Sequence, residues 1–461
     1  MTNKLKAITG ARTILEEAMQ FQELGDLEAA EARYRMVIDA GYRVADVLPI
    51  LAGILGQRGA NDEAIDTWDR LLLISPAHDV AHHEKGLIYS RMGHSGLAIA
   101  ALEASCAANP NNPVSANNLA VLLADAGRKQ EALDQFRRAL ELEPGNVHIE
   151  HQIRRLCAEM VPFWHIPMLN DIRRNEAFEA AIIAAIETVG PSARVLDIGT
   201  GSGLLSMMAA RAGAISVTAC EMVPVIADMA RAIIADNGYS DRVTVHTVPS
   251  TELAIGAHLA EPADILVSEI LSSDLLTEKV IDTFEDAHSR LLKHDAIVIP
   301  RAASAIGCLV ESRVLADYVF VNEVSGFDVS RFGALAAQKL PIHGTMTDWK
   351  RLSHDVELLR IDLTHKAHPA DLQTLSIAVM EDGIAAGVVQ WMQVDLAEGI
   401  TFDNHPDSYT DGGWLQVLHT FPEPIPVRAG DHLSIAVGHD RTTLILRPLN
   451  VVAVAAQVDA A

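Results

Sequence analysis

The sequence predicts a multidomain chain of three parts: an α-helical repeat solenoid (1–150), a parallel α/β domain (151–300) and an all-β barrel (301–461). Three observations carry this. The first 150 residues repeat every 34. Apolar strands then alternate with helical stretches. After Pro300 short strands follow one another, separated by turn signals.

The repeat is read from registers in phase. Gly25, Gly59, Gly93 and Gly127 are evenly spaced, as are Ala30, Ala64, Ala98 and Ala132, and the bulky Tyr34, Trp68, Leu102 and Phe136; Pro76, Pro110 and Pro144 close three of the four units. This is the tetratricopeptide (TPR) signature. The glycine turns the chain between two helices, the alanine lets them approach, the bulky residue fills the gap and the proline stops the second helix. Such an array is either a bare scaffold or a concave surface for a partner protein; the second reading is the favoured expectation.

In the middle part ARVLDIGTGSG (193–203), VTACE (217–221) and ADILVSE (263–269) read as strands. EAFEAAIIAAIETV (176–189) and VIADMARAIIADNG (225–238) read as helices. The order implies a Rossmann-like parallel sheet. In the last part ASAIGCLVES, DVELLRIDL, TLSIAVMED, AAGVVQWMQVDL, WLQVLHTF, HLSIAVGH and TTLILRPL read as strands of a barrel or sandwich.

Composition narrows the function. The chain has 461 residues and a formal net charge of −25, which disfavours nucleic acid and suits cationic partners. Cys106, Cys157, Cys220 and Cys308 are far apart, with no metal-ligand spacing, so no metal is expected and a reduced, cytoplasmic setting is the simplest expectation. No secretory leader or membrane-spanning run is read from the residues.

Chemistry concentrates at the strand ends. In Asp197-Ile-Gly199-Thr-Gly201-Ser-Gly203 the glycines alternate, and Leu204 stands where a dinucleotide loop would carry its third glycine. With Glu221 ending the next strand, placed for two ribose hydroxyls, the loop suits S-adenosylmethionine (SAM) better than NAD. Methyl transfer from a sulfonium mainly needs a positioned nucleophile. SEILSSDLLTE (268–278) offers Glu269 at the carboxyl end of a strand and Glu278 nine residues on. Two close carboxylates repel unless a cation lies between them. A guanidinium fits, being planar, permanently charged and able to bind a carboxylate through two N–H groups. The alternative is that Glu278 is merely a first-turn acid of the helix TEKVIDTFEDAHSRLL. Spacing alone leaves both open.

VLDIGTGSG, CE and SEILSSDLLTE together resemble the protein arginine N-methyltransferases, whose double-E loop carries two glutamates at this separation. WHIPMLNDIRRN (164–175) is similar to their SAM-closing helix, and STE (250–252), HSRLL (288–292) and LVES (309–312) are most similar to the family's tandem-domain, TPR-bearing branch. The resemblance covers about 160–461 and thins in the barrel. It implies that Glu269 and Glu278 clamp a substrate guanidinium, that His165, Met168 and Arg174 fold over SAM with Arg174 on its carboxylate, and that Gly199, Gly201 and Gly203 line the methionine end. It implies further that Glu221 holds the ribose, that Ser250 and Thr251 border the adenine, that Asp171 supports the substrate pocket beside Trp414, and that part of 320–350 is a dimerisation arm of a homodimer.

Two departures stand out. TDGGWLQV (410–417) keeps Trp414 but has Gly413 where the family usually places a His that contacts the acid equivalent to Asp171, unless His405 or His419 replaces it. Ser272 and Ser273 make the double-E loop less bulky than usual. The expected function is therefore methyl transfer to a guanidino nitrogen, with a protein substrate favoured. Free arginine or a small guanidino compound is the first alternative, and an inactive TPR scaffold the second.

Overall fold

In a computed structural model, which describes residues 2–342, 349–408 and 412–452, the chain divides into two compact units, Met1–Met160 and Val161–Ala461. The stretches 343–348, within the expected arm, and 410–411, within TDGGWLQV, lie outside the described residues.

Among the described residues the first unit has nine helices: α1 (Thr2–Glu23), α2 (Leu27–Asp39), α3 (Val44–Gln57), α4 (Asn61–Ile74), α5 (Asp79–Arg91), α6 (Ser95–Ala108), α7 (Pro113–Asp125), α8 (Lys129–Leu142) and α9 (Val147–Met160). The repeat registers take the physical roles expected of them. The four in-phase glycines all have φ of 77–78°, a left-handed conformation that a Cβ disfavours. The four alanines are fully buried, and Tyr34, Trp68, Leu102 and Phe136 are buried in the helical core, Leu102 of α6 packing against Gly86 of α5. Helices α4, α6 and α8 each end two residues before Pro76, Pro110 and Pro144.

The second unit opens with α10 (His165–Asn170) and α11 (Ile172–Val189). Five parallel strands follow: β1 (Arg194–Ile198), β2 (Ser216–Cys220), β3 (Val243–His246), β4 (Ala263–Ser268) and β5 (Leu292–Ile299). Between them come α12 (Leu204–Ala212), α13 (Pro224–Asp236) and α14 (Val280–Arg290). The spatial order is β3-β2-β1-β4-β5. The chain therefore reverses its direction of travel across the sheet at β1, which opens a crevice at the carboxyl ends of β1 and β4.

The β region contains β6 (Ala302–Ser312), then α15 (Arg313–Val319), β7 (Glu323–Val324), β8 (Phe327–Asp328), β9 (Lys339–Ile342), β10 (Trp349–Arg351), β11 (Val356–Asp362), β12 (Asp371–Ala378), β13 (Gly383–Ala397), β14 (Ile400–Asp403), β15 (Gln416–Val427), β16 (His432–His439) and β17 (Leu444–Val452). Among the described residues, the seven strands expected from the sequence fall in two antiparallel sheets: β6, β11, β13 and β15 are joined by β9, β10 and β14, which the sequence did not signal, in a seven-stranded sheet, and β12, β16 and β17 form a three-stranded one, together a curled half-barrel. One hydrophobic core runs from the α/β sheet (Leu196, Leu266, Phe284) into the β region (Leu358, Met392, Phe421), so no gap in packing marks residue 300. Arg441, on the turn between β16 and β17, pairs with Glu285 and Asp282 of α14. This guanidinium, with the His368 N–H, holds the Glu285 carboxyl down to about 2. No helix among the described residues is long and apolar enough to cross a membrane.

Candidate active site

Parallel pairing places the end of β1 between the ends of β2 and β4. Ile198 is in register with Cys220 on one side and with Ser268 on the other. The next residue on each strand is Gly199, Glu221 and Glu269, so three residues singled out in the sequence emerge side by side at the crevice.

The glycine loop is built for close approach. Gly199, Gly201 and Gly203 have φ of 75°, 54° and 82°. A Cβ at 199 would lie 2.6 Å from Ile270 Cγ2, whereas one at Gly201 would project into open space. Behind the loop Asp197 is buried. Its Oδ2 accepts from Ser206 Oγ (2.6 Å) and Thr200 Oγ1 (2.7 Å), while Oδ1 has no partner. Burial pushes this carboxyl up to about 6 in spite of those hydroxyls. Glu221 accepts from the Gly201 N–H (3.2 Å) and the Val223 N–H (2.9 Å), which fixes its carboxylate at the crevice rim.

Glu269 has one carboxylate oxygen paired and the other bare. Its Oε2 accepts from Arg174 Nη2 at 2.6 Å, and its Oε1 is buried without a partner. Burial drives the carboxyl up to about 7; Arg174 opposes the rise, and Glu278 and Asp197 add to it. Arg174 is itself buried, with Nη1 on the Asn175 side chain (2.8 Å) and its guanidinium over the Phe178 and Trp414 rings. Glu278 is exposed at the mouth, yet enough protein surrounds its carboxyl to raise its pKa, with Glu221 adding repulsion. It precedes α14 and its N-cap, Lys279, and so is not a residue of the helix's first turn.

The segment between the two glutamates is held at many points. Leu275, fully buried, has φ of 81°, a conformation that costs a non-glycine residue about 1–3 kcal/mol and persists only where its surroundings impose it. Those surroundings are visible. Trp414 Nε1 donates to Leu271 O (3.1 Å), Gln390 Nε2 donates to Ser273 O (3.2 Å), and the Leu415 N–H donates to Ser273 Oγ (3.1 Å). Asp274 accepts from Ser272 Oγ (2.7 Å), Thr277 Oγ1 (2.5 Å) and Lys339 Nζ (2.9 Å). Ser272 and Ser273, read in the sequence as making room, are thus engaged in tying the loop down.

The other candidates fall around this centre. Asp171 is buried and caps α11 by accepting from the Arg174 N–H (3.0 Å). His165 is half-buried, with Nδ1 3.2 Å from Pro162 O. Met168 lies against Gly413, where a Cβ would come within 2.5 Å of its Cγ and 2.7 Å of its backbone N and Cα. A histidine cannot occupy residue 413 while α10 rests there. His405 and His419 are engaged elsewhere: His405 against the Trp391 ring and near Asp355, and His419 buried beside Gln390, neutral, with burial driving its pKa down to about 3. Ser250 and Thr251 form a short turn whose carbonyls accept from Arg290 Nη2. Sequence reasoning missed Asn404. Fully buried, it donates to Trp414 O and Leu415 O (3.2 Å each) and accepts from the Met392 N–H (2.7 Å), fixing the segment that carries Trp414 into β15. An asparagine after a strand carries no signal of that role.

The chain resembles known proteins throughout. Residues 15–79 and 83–147 match tetratricopeptide repeats, 180–301 match ribosomal protein L11 methyltransferase, and 308–452 match the arginine methyltransferase oligomerization subdomain. It is 35% identical to the arginine N(omega)-methyltransferase of Streptomyces achromogenes subsp. streptozoticus, over 70% of this chain and 90% of that protein. It is 35% identical to protein arginine N-methyltransferase 7 of Oryza sativa subsp. indica over 61% of this chain, and 29% identical to that of Drosophila ananassae over 60% of it. It spans 44% and 46% of the lengths of those two proteins. In structure it matches a chain of the Trypanosoma brucei PRMT1 enzyme–prozyme heterotetrameric complex with AdoHcy. The TM-score is 0.52 at 23% identity, covering 59% of this chain and 86% of that one, a likeness of fold. On this evidence the chain belongs to the family of SAM-dependent arginine N-methyltransferases.

Proposed function

We propose that the chain methylates a guanidino nitrogen of arginine, with Glu269 and Glu278 holding the guanidinium. One observation supports this above the rest: Glu269 already binds a guanidinium, that of Arg174, and keeps a second oxygen buried and unpaired beside the glycine loop. A forked donor is the ligand such an acid lacks.

The residues fit the cofactor. Asp197 Oδ1 and Arg174 Nε are buried without partners, and Gly201 faces open space. Gly199, Gly201 and Gly203 would line the methionine end, Arg174 would hold its carboxylate, Glu221 the ribose hydroxyls, and Ser250 and Thr251 the adenine edge, with His165 and Met168 closing over it. SAM supplies an electrophilic methyl on a sulfonium. Glu269 and Glu278 orient the guanidinium and draw its charge toward the nitrogens they touch, which leaves lone-pair density on the one facing the methyl. Methylation obliges the guanidinium to shed a proton, and carboxyls with raised pKa are suited to accept it.

An arginine in a protein is the favoured substrate, since the chain is strongly acidic and carries a repeat array. Free arginine is favoured instead by the 90% coverage of a relative whose name specifies arginine and not protein. Mass spectrometry after incubation with SAM and either free arginine or an arginine-rich peptide decides between them, and methylation of neither would end the proposal. The exposed Val324, Phe327, Phe332 and Leu335 of the arm are the surface on which a second copy would pack.

The site also sets a pH dependence. Glu269 titrates near 7 in the free enzyme and must be ionised to take the substrate cation, so kcat/KM should rise with pH up to neutrality and level off above it. Below pH 6 the fall should approach tenfold per unit. A flat profile between pH 5.5 and 8.5 would contradict the assignment.

A further inference from the structure

A lysine joins the loop bearing the two glutamates to the strand that leaves the exposed arm. The arm, the hairpin of β7 and β8 with the short helical turn Ser330–Leu335, re-enters the fold through β9, whose first residue is Lys339. β9 is fixed on β15, with Lys339 opposite His419, and the Thr420 N–H and Oγ1 take Gln338 O (3.0 Å) and Ala337 O (2.8 Å). Lys339 Nζ then leaves the strand to bond Asp274 Oδ2 at 2.9 Å and Thr443 Oγ1. Asp274 lies five residues after Glu269 and four before Glu278. Its other oxygen closes the Ser272–Thr277 turn in which Leu275 adopts its left-handed conformation.

We propose that Lys339 is a positioning residue for Glu278. By fixing Asp274 it holds the strained turn that sets where the second carboxylate stands, and it links the clamp to the strand leaving the arm. The inference rests on the double-E reading of the site. Three physical points favour it. A buried left-handed leucine relaxes unless neighbouring bonds impose its conformation. Asp274 is bonded on both oxygens, and although burial raises its pKa, Thr277, Lys339 and Ser272 hold it down to about 2, so the pair is ionic at all working pH. Lys339 touches neither the glycine loop nor Arg174 in any bond it makes here, so its removal should spare SAM binding.

The test is Lys339→Met, which keeps the stem and removes the charged donor, beside Lys339→Arg, which keeps the charge. Hydrogen exchange of peptides covering 270–279 is read in both without reference to turnover. Methyl transfer is read as kcat and KM, and SAM affinity by calorimetry. Lys339→Met should speed exchange in that segment at least tenfold and lower kcat at least tenfold. SAM affinity should stay within twofold and the elution volume of the assembly should not change. Lys339→Arg should recover most of both losses. Unchanged exchange and kcat in Lys339→Met would overturn the proposal, as would a loss of SAM binding in parallel with kcat, which would mark the lysine as merely structural. A wild-type chain that methylates neither arginine nor peptide, while the exchange change is still seen, would count against the function and not against the strut.

Discussion

Glu278→Gln is expected to slow methyl transfer roughly a hundred- to a thousandfold while leaving SAM affinity within a factor of two. The substitution keeps the shape of the side chain and removes its charge. Removing one preorganised electrostatic partner of a transition state costs about 2.7–4 kcal/mol, and each 1.36 kcal/mol is tenfold in rate. Glu278 stands at the mouth, and its electrostatic neighbour on the cofactor side, Glu221, repels it, so neutralising it removes nothing that holds SAM. Initial rates with labelled SAM and a separate calorimetric titration give the two numbers. Glu269→Gln should be at least as damaging to the rate, with an added effect because the buried Arg174 loses the negative charge of its 2.6 Å partner. A Glu278→Gln enzyme with the wild-type rate would leave Glu269 acting alone and the clamp refuted.

The second large effect is counterintuitive. Restoring the family's usual histidine by Gly413→His should weaken SAM binding by roughly five- to a hundredfold and lower the rate with it. A Cβ at 413 would sit 2.5–2.7 Å from Met168, and two of the atoms in the way are backbone. No rotamer change relieves that, so α10 must lift from its seat. Overpacking of this kind costs about 1–3 kcal/mol. The same titration reads the outcome, with Gly413→Ala as the smaller insult. A histidine variant that binds SAM normally and turns over faster would show that α10 has room the structure does not display.

Much of this was legible in the residues because it is periodic or local. The 34-residue spacing specifies helices whose glycines, alanines and bulky residues have one role each, and the alternation of strands and helices specifies a parallel sheet. Gly199, Glu221 and Glu269 could be placed at one edge because each ends an apolar strand. What could not be read is what depends on distant segments meeting. Arg174 reaches Glu269 across 95 residues and Gln390 reaches Ser273 across 117. Lys339 looks like any strand-end lysine until Asp274 is found opposite it. Gly413 reads as a lost histidine in sequence, whereas its surroundings make it the position that lets Met168 approach. The resemblance put Arg174 on the SAM carboxylate; in the structure its bonds are to Glu269, Asn175 and Met168 O. Its Nε has no partner, which leaves one donor for a second acid while Nη2 stays on Glu269.

One contact has a consequence for how such enzymes diverge. Gly199 on the cofactor side and Ile270 on the substrate side abut so closely that a methyl group added to the first would collide with the second at 2.6 Å. Residue 199 is held by this contact and by its φ of 75°, which strains any side chain placed there. A lineage that shortens 270 does not thereby release 199, so the glycine should persist wherever the two strand ends stand in the same register.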